Sequence, residues 1–197
     1  MTRILFVCTG NTCRSPMAEA LLRKLAAERG IPLEVRSAGV STVDGLPVSR
    51  HASEALRKRS IDHRGQSKAL GTGSVKWADL VLTMTGGHKR SLLQWFPEAV
   101  DKTYTLKEYV YLHSEANGDI ERLEKLYTEM HMKQALGGQL TDEERSQLLE
   151  LERKIPSFDI VDPFGGSLEE YEQCAKEIEA TVRKLLDKLD RRESEQD

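Results

Sequence analysis

Short unbroken apolar runs alternate with longer amphipathic stretches along most of the chain. Ile4-Leu5-Phe6-Val7 is continuous in apolar residues, the pattern of a strand buried on both faces. A polar loop, Cys8-Thr9-Gly10-Asn11-Thr12-Cys13-Arg14, follows it. Ser15-Pro16 then opens a helix, with Ser15 suited to the N-cap and Pro16 to the first helical position. Met17, Ala20, Leu21 and Leu25 recur at helical spacing, and Gly30 supplies the stop. The same alternation continues more faintly. Leu33 to Ser37 reads as a second strand, and Ser49 to Arg59 as a helix turning Ala52, Ala55 and Leu56 inward. Asp79 to Met84 reads as a third strand, His88 to Phe96 as a helix ended by Pro97, and Thr103 to Leu106 as a short fourth strand. A last helix is expected over Leu168 to Leu189, with a frayed tail over Arg191 to Asp197. Strands alternating with helices predict an α/β fold, a parallel four-stranded sheet with helices on both faces.

The segment from His113 to Ile155 breaks the alternation. It contains no strand pattern and no proline. Ile120, Leu123, Tyr127 and Met130 are spaced three, four and three apart, one face of a helix. Gly137-Gly138 interrupts it, and Thr141-Asp142-Glu143-Glu144 is a capping box that opens a second helix striped by Leu148, Leu151 and Ile155. The expectation is one domain over residues 1–197 carrying an inserted helical hairpin at 113–155. That insert holds ten acidic against six basic residues, so it is an acidic appendage on a nearly neutral body.

Composition narrows the class. A chain of 197 residues with 39% hydrophobic and 31% charged positions has enough apolar side chains for a core. The net charge of −3 shows no basic excess of the kind that marks nucleic-acid binding. The one apolar run near the start is too short for a signal peptide or a membrane span. Three cysteines do not make a disulfide scaffold and fit a reducing compartment. The expected setting is cytoplasmic, with no nucleic-acid and no membrane partner. No feature of the sequence points to an oligomeric state, and the five histidines show no metal-ligand spacing and read as surface or packing residues.

Chemistry concentrates in the first loop. Cys8 and Arg14 bracket five residues that end on a helix, and backbone N–H groups at a helix N-terminus cradle anions. The same positive end, with Arg14 beside it, favours the thiolate form of Cys8. Arg14 can grip two phosphate oxygens in a bidentate fork, and Ser15 can donate its hydroxyl to the thiolate. No Gly-Lys-Ser/Thr follows, so the loop is not an ATP-binding Walker motif. The bland alternative is a small core cysteine after a buried strand.

The run Val7-Cys8-Thr9-Gly10-Asn11-Thr12-Cys13-Arg14-Ser15-Pro16-Met17-Ala18-Glu19-Ala20 closely resembles the low-molecular-weight protein tyrosine phosphatases. Ser37-Ala38-Gly39 resembles the family's second-strand motif, and Asp162-Pro163-Phe164-Gly165 its general-acid loop. The resemblance covers residues 1–112 and about 156–190, and leaves out the hairpin. It implies the flavodoxin-like fold of that family and a site in which Cys8 is the nucleophile that becomes phosphocysteine. Arg14 and the backbone amides of Thr9, Gly10, Asn11, Thr12, Cys13 and Arg14 would bind the phosphoryl group, Asn11 would shape the loop and Ser15 would stabilise the thiolate. Asp162 would protonate the leaving group and then activate water. Asp159, three residues earlier, competes for that role, and Asp-Pro is also a common turn opener. The resemblance further suggests a reversible Cys8–Cys13 disulfide under oxidation, the alternative being that Cys13 fills space behind the loop. No metal and no cofactor is implied.

Within the family the expected substrate is phosphoarginine on proteins. Thr12 stands where the tyrosine enzymes usually have an aliphatic residue, and the protein arginine phosphatases of Gram-positive bacteria resemble this chain there. Phe164-Gly165-Gly166 lacks the aromatic pair that often flanks phosphotyrosine, and Leu82-Thr83-Met84-Thr85 also looks like the arginine branch. A threonine hydroxyl and a carboxylate offer acceptors to guanidinium N–H groups. The alternatives are a tyrosine phosphatase, with Thr12 merely packing like valine; an arsenate reductase, which needs relay cysteines where this chain has Cys174 alone beyond the loop; and a non-catalytic phosphate-binding module.

Overall fold

A computed structural model describes residues 1–111, 122, 125–126, 129–130, 132–133, 138, 141–154 and 157–194. It divides into two compact units, Met1–Val110 with Phe158–Asp197, and Tyr111–Ser157.

The first unit is built on four parallel strands, β1 (Thr2–Cys8), β2 (Leu33–Gly39), β3 (Leu80–Thr83) and β4 (Thr103–Thr105), in the order β2-β1-β3-β4. Register runs from Thr2 opposite Leu33 to Cys8 opposite Gly39, and Ile4 opposite Leu80 on the other side. The expected strands are all present. Because side chains alternate across a strand, β1 feeds two cores. Ile4, Phe6 and Cys8 join the larger one with α1 (Arg14–Arg29), α2 (Arg50–Arg57) and the C-terminal helix. Leu5 and Val7 join the smaller one with Val75, Val81, Leu92 and Ala99. A strand buried on both faces has to be apolar throughout, which is why the run Ile4–Val7 is fully buried.

Several details differ from the sequence pattern. The first helix begins at Arg14 with Cys13 at the cap and no side-chain cap bond, so Ser15 is not the N-cap; its hydroxyl is turned to Cys8 instead. Two short helices, α3 (Thr72–Trp77) and α5 (Leu106–Tyr111), were not foreseen, being too brief to show a period. Helix α4 spans Gly86–Trp95, two residues earlier than expected, because Thr85 caps it by accepting from His88 N–H. Helix α2 is shorter than the expected Ser49 to Arg59, with Ser49 as its cap, but Ala52, Ala55 and Leu56 are wholly buried as expected.

In the second unit, helix α6 (Asp142–Lys154) opens with the expected capping box: Glu144 N–H donates to Thr141 Oγ1 and the Glu144 carboxylate accepts from Thr141 N–H. Residues 122, 125–126, 129–130 and 132–133 are helical, and Lys133 pairs with Glu144. The expected stripe residues Ile120, Leu123, Tyr127 and Ile155, the side chains of Leu148 and Leu151, and Gly137 lie outside the described residues. The C-terminal helix, α7 (Leu168–Ser194), runs past Leu189 into the stretch expected to fray, since each added residue gains one backbone hydrogen bond. Residues 195–197 lie outside the described part. No helix among the described residues is long and apolar enough to cross a membrane.

Candidate active site

With β2 on one side of β1 and β3 on the other, the connections leaving β1 and β3 diverge at the carboxyl edge and open a crevice there. The loop Thr9–Cys13 lies at this edge, between Cys8 at the end of β1 and Arg14 at the start of α1. Its carbonyls are engaged by neighbouring segments: Val40 N–H donates to Cys8 O (2.9 Å), Ser41 N–H to Thr9 O (3.0 Å) and Ser49 N–H to Thr12 O (2.9 Å). The N–H groups of Gly10, Thr12, Cys13 and Arg14 have no acceptor among the described residues. Free amides at the head of a helix form a nest for an anion. Close approach of β2 makes this possible, because a Cβ at Gly39 would stand 2.5 Å from Thr9 O and 3.0 Å from Asn11 N.

Asn11 organises the loop from within. It is 1% exposed and sits at φ 54°, a left-handed conformation that Asn tolerates better than most residues. Its Nδ2 donates to Ser15 Oγ (2.9 Å) and Ser37 Oγ (2.8 Å), and its Oδ1 accepts from Lys68 N–H (2.8 Å). Ser37 in turn donates to the Glu19 carboxylate. This explains Ser37-Ala38-Gly39: the serine braces Asn11 and the glycine makes room. Two groups converge on the thiol, Ser15 Oγ at 2.9 Å and the donor Asn11 N–H at 3.3 Å from Cys8 Sγ.

Arg14 is 4% exposed. One terminal nitrogen donates to Ile160 O (3.1 Å), the other to Asp162 Oδ2 (2.8 Å). Its Nε is buried with no partner, an orphaned donor beside an amide nest, and such a donor calls for an anion. Asp162 remains about half exposed. Its other oxygen accepts from Phe164 N–H (3.2 Å), and a turn closed by Gly166 N–H to Pro163 O carries Gly165 at φ 78°, where glycine is required. Asp159 points elsewhere, accepting from Gly86 N–H at 2.7 Å.

Cys13 is buried against α7. Its Sγ meets Tyr171 Oη at 3.1 Å and Ser49 Oγ at 3.6 Å, and Thr12 Oγ1 is 3.6 Å away. Burial, with Cys13 beside it, raises the Tyr171 hydroxyl to about 12. Cys8, Cys13 and Cys174 are all free thiols. Burial also pushes Cys174 up to about 12, leaving it a poor nucleophile.

The sequence reading missed His88. Expected to be a surface or packing residue, it is 7% exposed, and its Nε2 lies 2.8 Å from Thr9 Oγ1. Its Nδ1 lies 3.0 Å from Thr85 Oγ1. The available signal was Thr85-x-x-His88 directly after the third strand, at the edge where the first loop also emerges. Among the described residues, no group of three or more His, Cys, Asp or Glu side chains is arranged to hold a metal ion.

The chain is similar to known proteins. A family model described as low molecular weight phosphotyrosine protein phosphatase matches residues 3–130. A protein-arginine-phosphatase of Geobacillus stearothermophilus is 37% identical over 95% of this chain and 95% of its own. A low molecular weight protein-tyrosine-phosphatase PtpB of Staphylococcus haemolyticus is 30% identical over 93% of this chain and 96% of its own. The solved structure of the YwlE arginine phosphatase from Geobacillus stearothermophilus superposes with a TM-score of 0.72 at 36% identity, covering 99% of this chain and 97% of that one.

Proposed function

The chain belongs to the low-molecular-weight phosphotyrosine protein phosphatase family, and from that premise we propose that it is a cysteine-dependent phosphatase that removes phosphate from phosphoarginine in proteins. The observation that carries this reading is the convergence at Cys8: a thiol held by Ser15 and Asn11 beside free amides, next to an arginine whose buried Nε lacks a partner.

The reaction proceeds in two displacements. Cys8 Sγ attacks phosphorus, the S–P bond forms and the P–N bond to the guanidine breaks, and Asp162 gives its proton to the departing nitrogen. Asp162, now a carboxylate, then takes a proton from a water that attacks phosphorus, the S–P bond breaks and inorganic phosphate leaves with the thiolate restored. Phosphoryl transfer needs positioning and charge neutralisation above all. The amides of Thr9 to Arg14 and the Arg14 guanidinium supply both. Asp162 is the candidate that stands at the site, its carboxyl beside Arg14 and half exposed, whereas Asp159 is committed to the start of α4.

The arginine preference draws support from the higher identity to the protein-arginine-phosphatase than to the tyrosine phosphatase, 37% against 30%. It draws further support from Thr12, whose hydroxyl can accept a guanidinium N–H where an aliphatic side chain cannot. One feature favours a tyrosine substrate, the Phe164 ring, 77% exposed beside Asp162 and able to flank an aryl group. Cys174, buried and raised, gives no support to a reductase relay.

The deciding experiment compares turnover of phosphoarginine and phosphotyrosine by the same purified protein. Phosphoarginine is expected to be preferred. Thr12→Ile should suppress its hydrolysis while sparing or raising that of phosphotyrosine, and Cys8→Ser should abolish both. Preference for phosphotyrosine in the wild type would overturn the arginine reading, and an unchanged ratio in Thr12→Ile would show that Thr12 only packs.

A further inference from the structure

Thr9 is exposed at the mouth of the loop, next in sequence to the nucleophile. Its hydroxyl does not swing free. His88, buried beneath it at the first turn of α4, bonds it at 2.8 Å, and Thr85 bonds the other ring nitrogen of His88 at 3.0 Å. Burial, reinforced by the positive charge of Arg14, holds His88 well below its ordinary 6.5, at about 4, so the ring is neutral and carries one proton. Thr85 Oγ1 also accepts from His88 N–H, which ties ring and hydroxyl together at the first turn of α4. In either tautomer the ring bonds both hydroxyls, and Thr9 Oγ1, with two acceptor lone pairs, keeps at least one of them for a partner at the mouth.

We infer that Thr9, pinned by His88 and Thr85, is a second specificity-determining residue whose side-chain hydroxyl accepts a guanidinium N–H from the bound phosphoarginine. This rests on the phosphoarginine reading above and extends it from Thr12 to the α4 side of the loop. A pinned hydroxyl contributes more than a rotating one, because no rotor freedom is lost when substrate binds. His88 does not touch the substrate; it is a positioning residue that acts through Thr9. An aryl phosphate offers no N–H at this point, so the hydroxyl is of little use to it.

The test uses Thr9→Val, which removes the hydroxyl and keeps the shape, and His88→Leu, His88→Gln and the double variant Thr9→Val/His88→Leu. Each is assayed for kcat and KM with phosphoarginine and with p-nitrophenyl phosphate. A hydrogen bond to a charged group is worth about 10- to 100-fold, so Thr9→Val is expected to lower kcat/KM for phosphoarginine by about that factor more than it lowers kcat/KM for the aryl phosphate. His88→Leu should show the same selective loss, the double variant should be no worse than Thr9→Val, and His88→Gln, whose amide can donate from the position of Nε2, should recover part of it. Equal losses on both substrates would overturn the inference, showing that Thr9 serves the phosphate nest or the loop. Additive losses in the double variant would overturn the role of His88, leaving it a packing residue. If the wild type fails to prefer phosphoarginine, the substrate reading itself has failed; if it prefers phosphoarginine and Thr9→Val keeps that preference undiminished, only the present inference has.

Discussion

Replacing Asn11 by alanine tests whether the catalytic loop is held ready before any substrate arrives. The change removes three side-chain hydrogen bonds, to Ser15, to Ser37 and from the Lys68 amide, at a position 1% exposed where water cannot take their place. At about 1 kcal/mol for each neutral bond, the loss is about 3 kcal/mol. Alanine at φ 54° adds about 1 kcal/mol of backbone strain, because its Cβ crowds the carbonyl and it has no side-chain oxygen to compensate. The total, about 4 kcal/mol, is a large share of the 5–15 kcal/mol that stabilises a typical domain. Asn11→Gly relieves the strain but none of the lost bonds, so it should recover no more than about 1 kcal/mol. Urea unfolding of the wild type and both variants gives the energies. Activity should fall by about 10²-fold or more even where the protein is fully folded, since Asn11 N–H is one of the two groups on Cys8 Sγ and a shift of about 1 Å at a reacting centre costs that much. A cost below about 1 kcal/mol with full activity in Asn11→Ala would refute the reasoning. Near-complete recovery in Asn11→Gly would put the whole effect into backbone conformation and none into the bonds.

Other tests address the remaining parts of the site. Asp162→Asn should slow phosphoarginine turnover by about 10²–10⁴-fold for loss of a general acid, while Asp159→Asn should mainly lower stability by weakening the start of α4; the reverse pattern in steady-state rates would reassign the acid. Folding should titrate with His88: its pKa falls from 6.5 in the unfolded chain to about 4 in the fold, so the unfolded state binds more protons between those values and stability is complete above about pH 6.5 and declines as pH falls toward 4. At 1.36 kcal/mol per pH unit the decline has a ceiling of about 3 kcal/mol, and His88→Gln should flatten that part of a denaturation series taken from pH 7 to 4; an identical slope in the variant would show that other groups carry it. Mild peroxide should inactivate the enzyme reversibly through a Cys8–Cys13 disulfide detectable by mass spectrometry, because a resolving thiol traps the sulfenic acid before further oxidation; irreversible conversion of Cys8 to the sulfonic acid would remove Cys13 from that role.

Local chemistry alone determined the front of this protein. The run Ile4–Val7 had to be a strand buried on both faces, since four consecutive apolar residues in a β conformation present side chains to both sides. The loop that follows had to meet a helix N-terminus, because Cys8 through Arg14 separates that strand from the helical period of Met17, Ala20, Leu21 and Leu25. A Cys and an Arg at the two ends of such a loop already define a nucleophile and an anion partner. Tertiary structure decided everything that joins distant parts of the chain. Asp162 and Asp159 are equivalent acids in a turn-forming stretch, and only the approach of that stretch to β3 and α1 gives Asp162 to Arg14, 148 positions away, and Asp159 to the head of α4. Ser15 carries a good N-cap side chain, but the loop starts the helix two residues earlier and the hydroxyl goes to Cys8. His88 has only a faint local sign, its place three residues after Thr85; it reaches Thr9 across 79 positions because β3 lies beside β1 in the sheet and their carboxyl-edge loops must share one crevice. Periodicity and capping report on hydrogen bonds a few residues long, whereas strand order sets which loops become neighbours, and no short-range pattern encodes it.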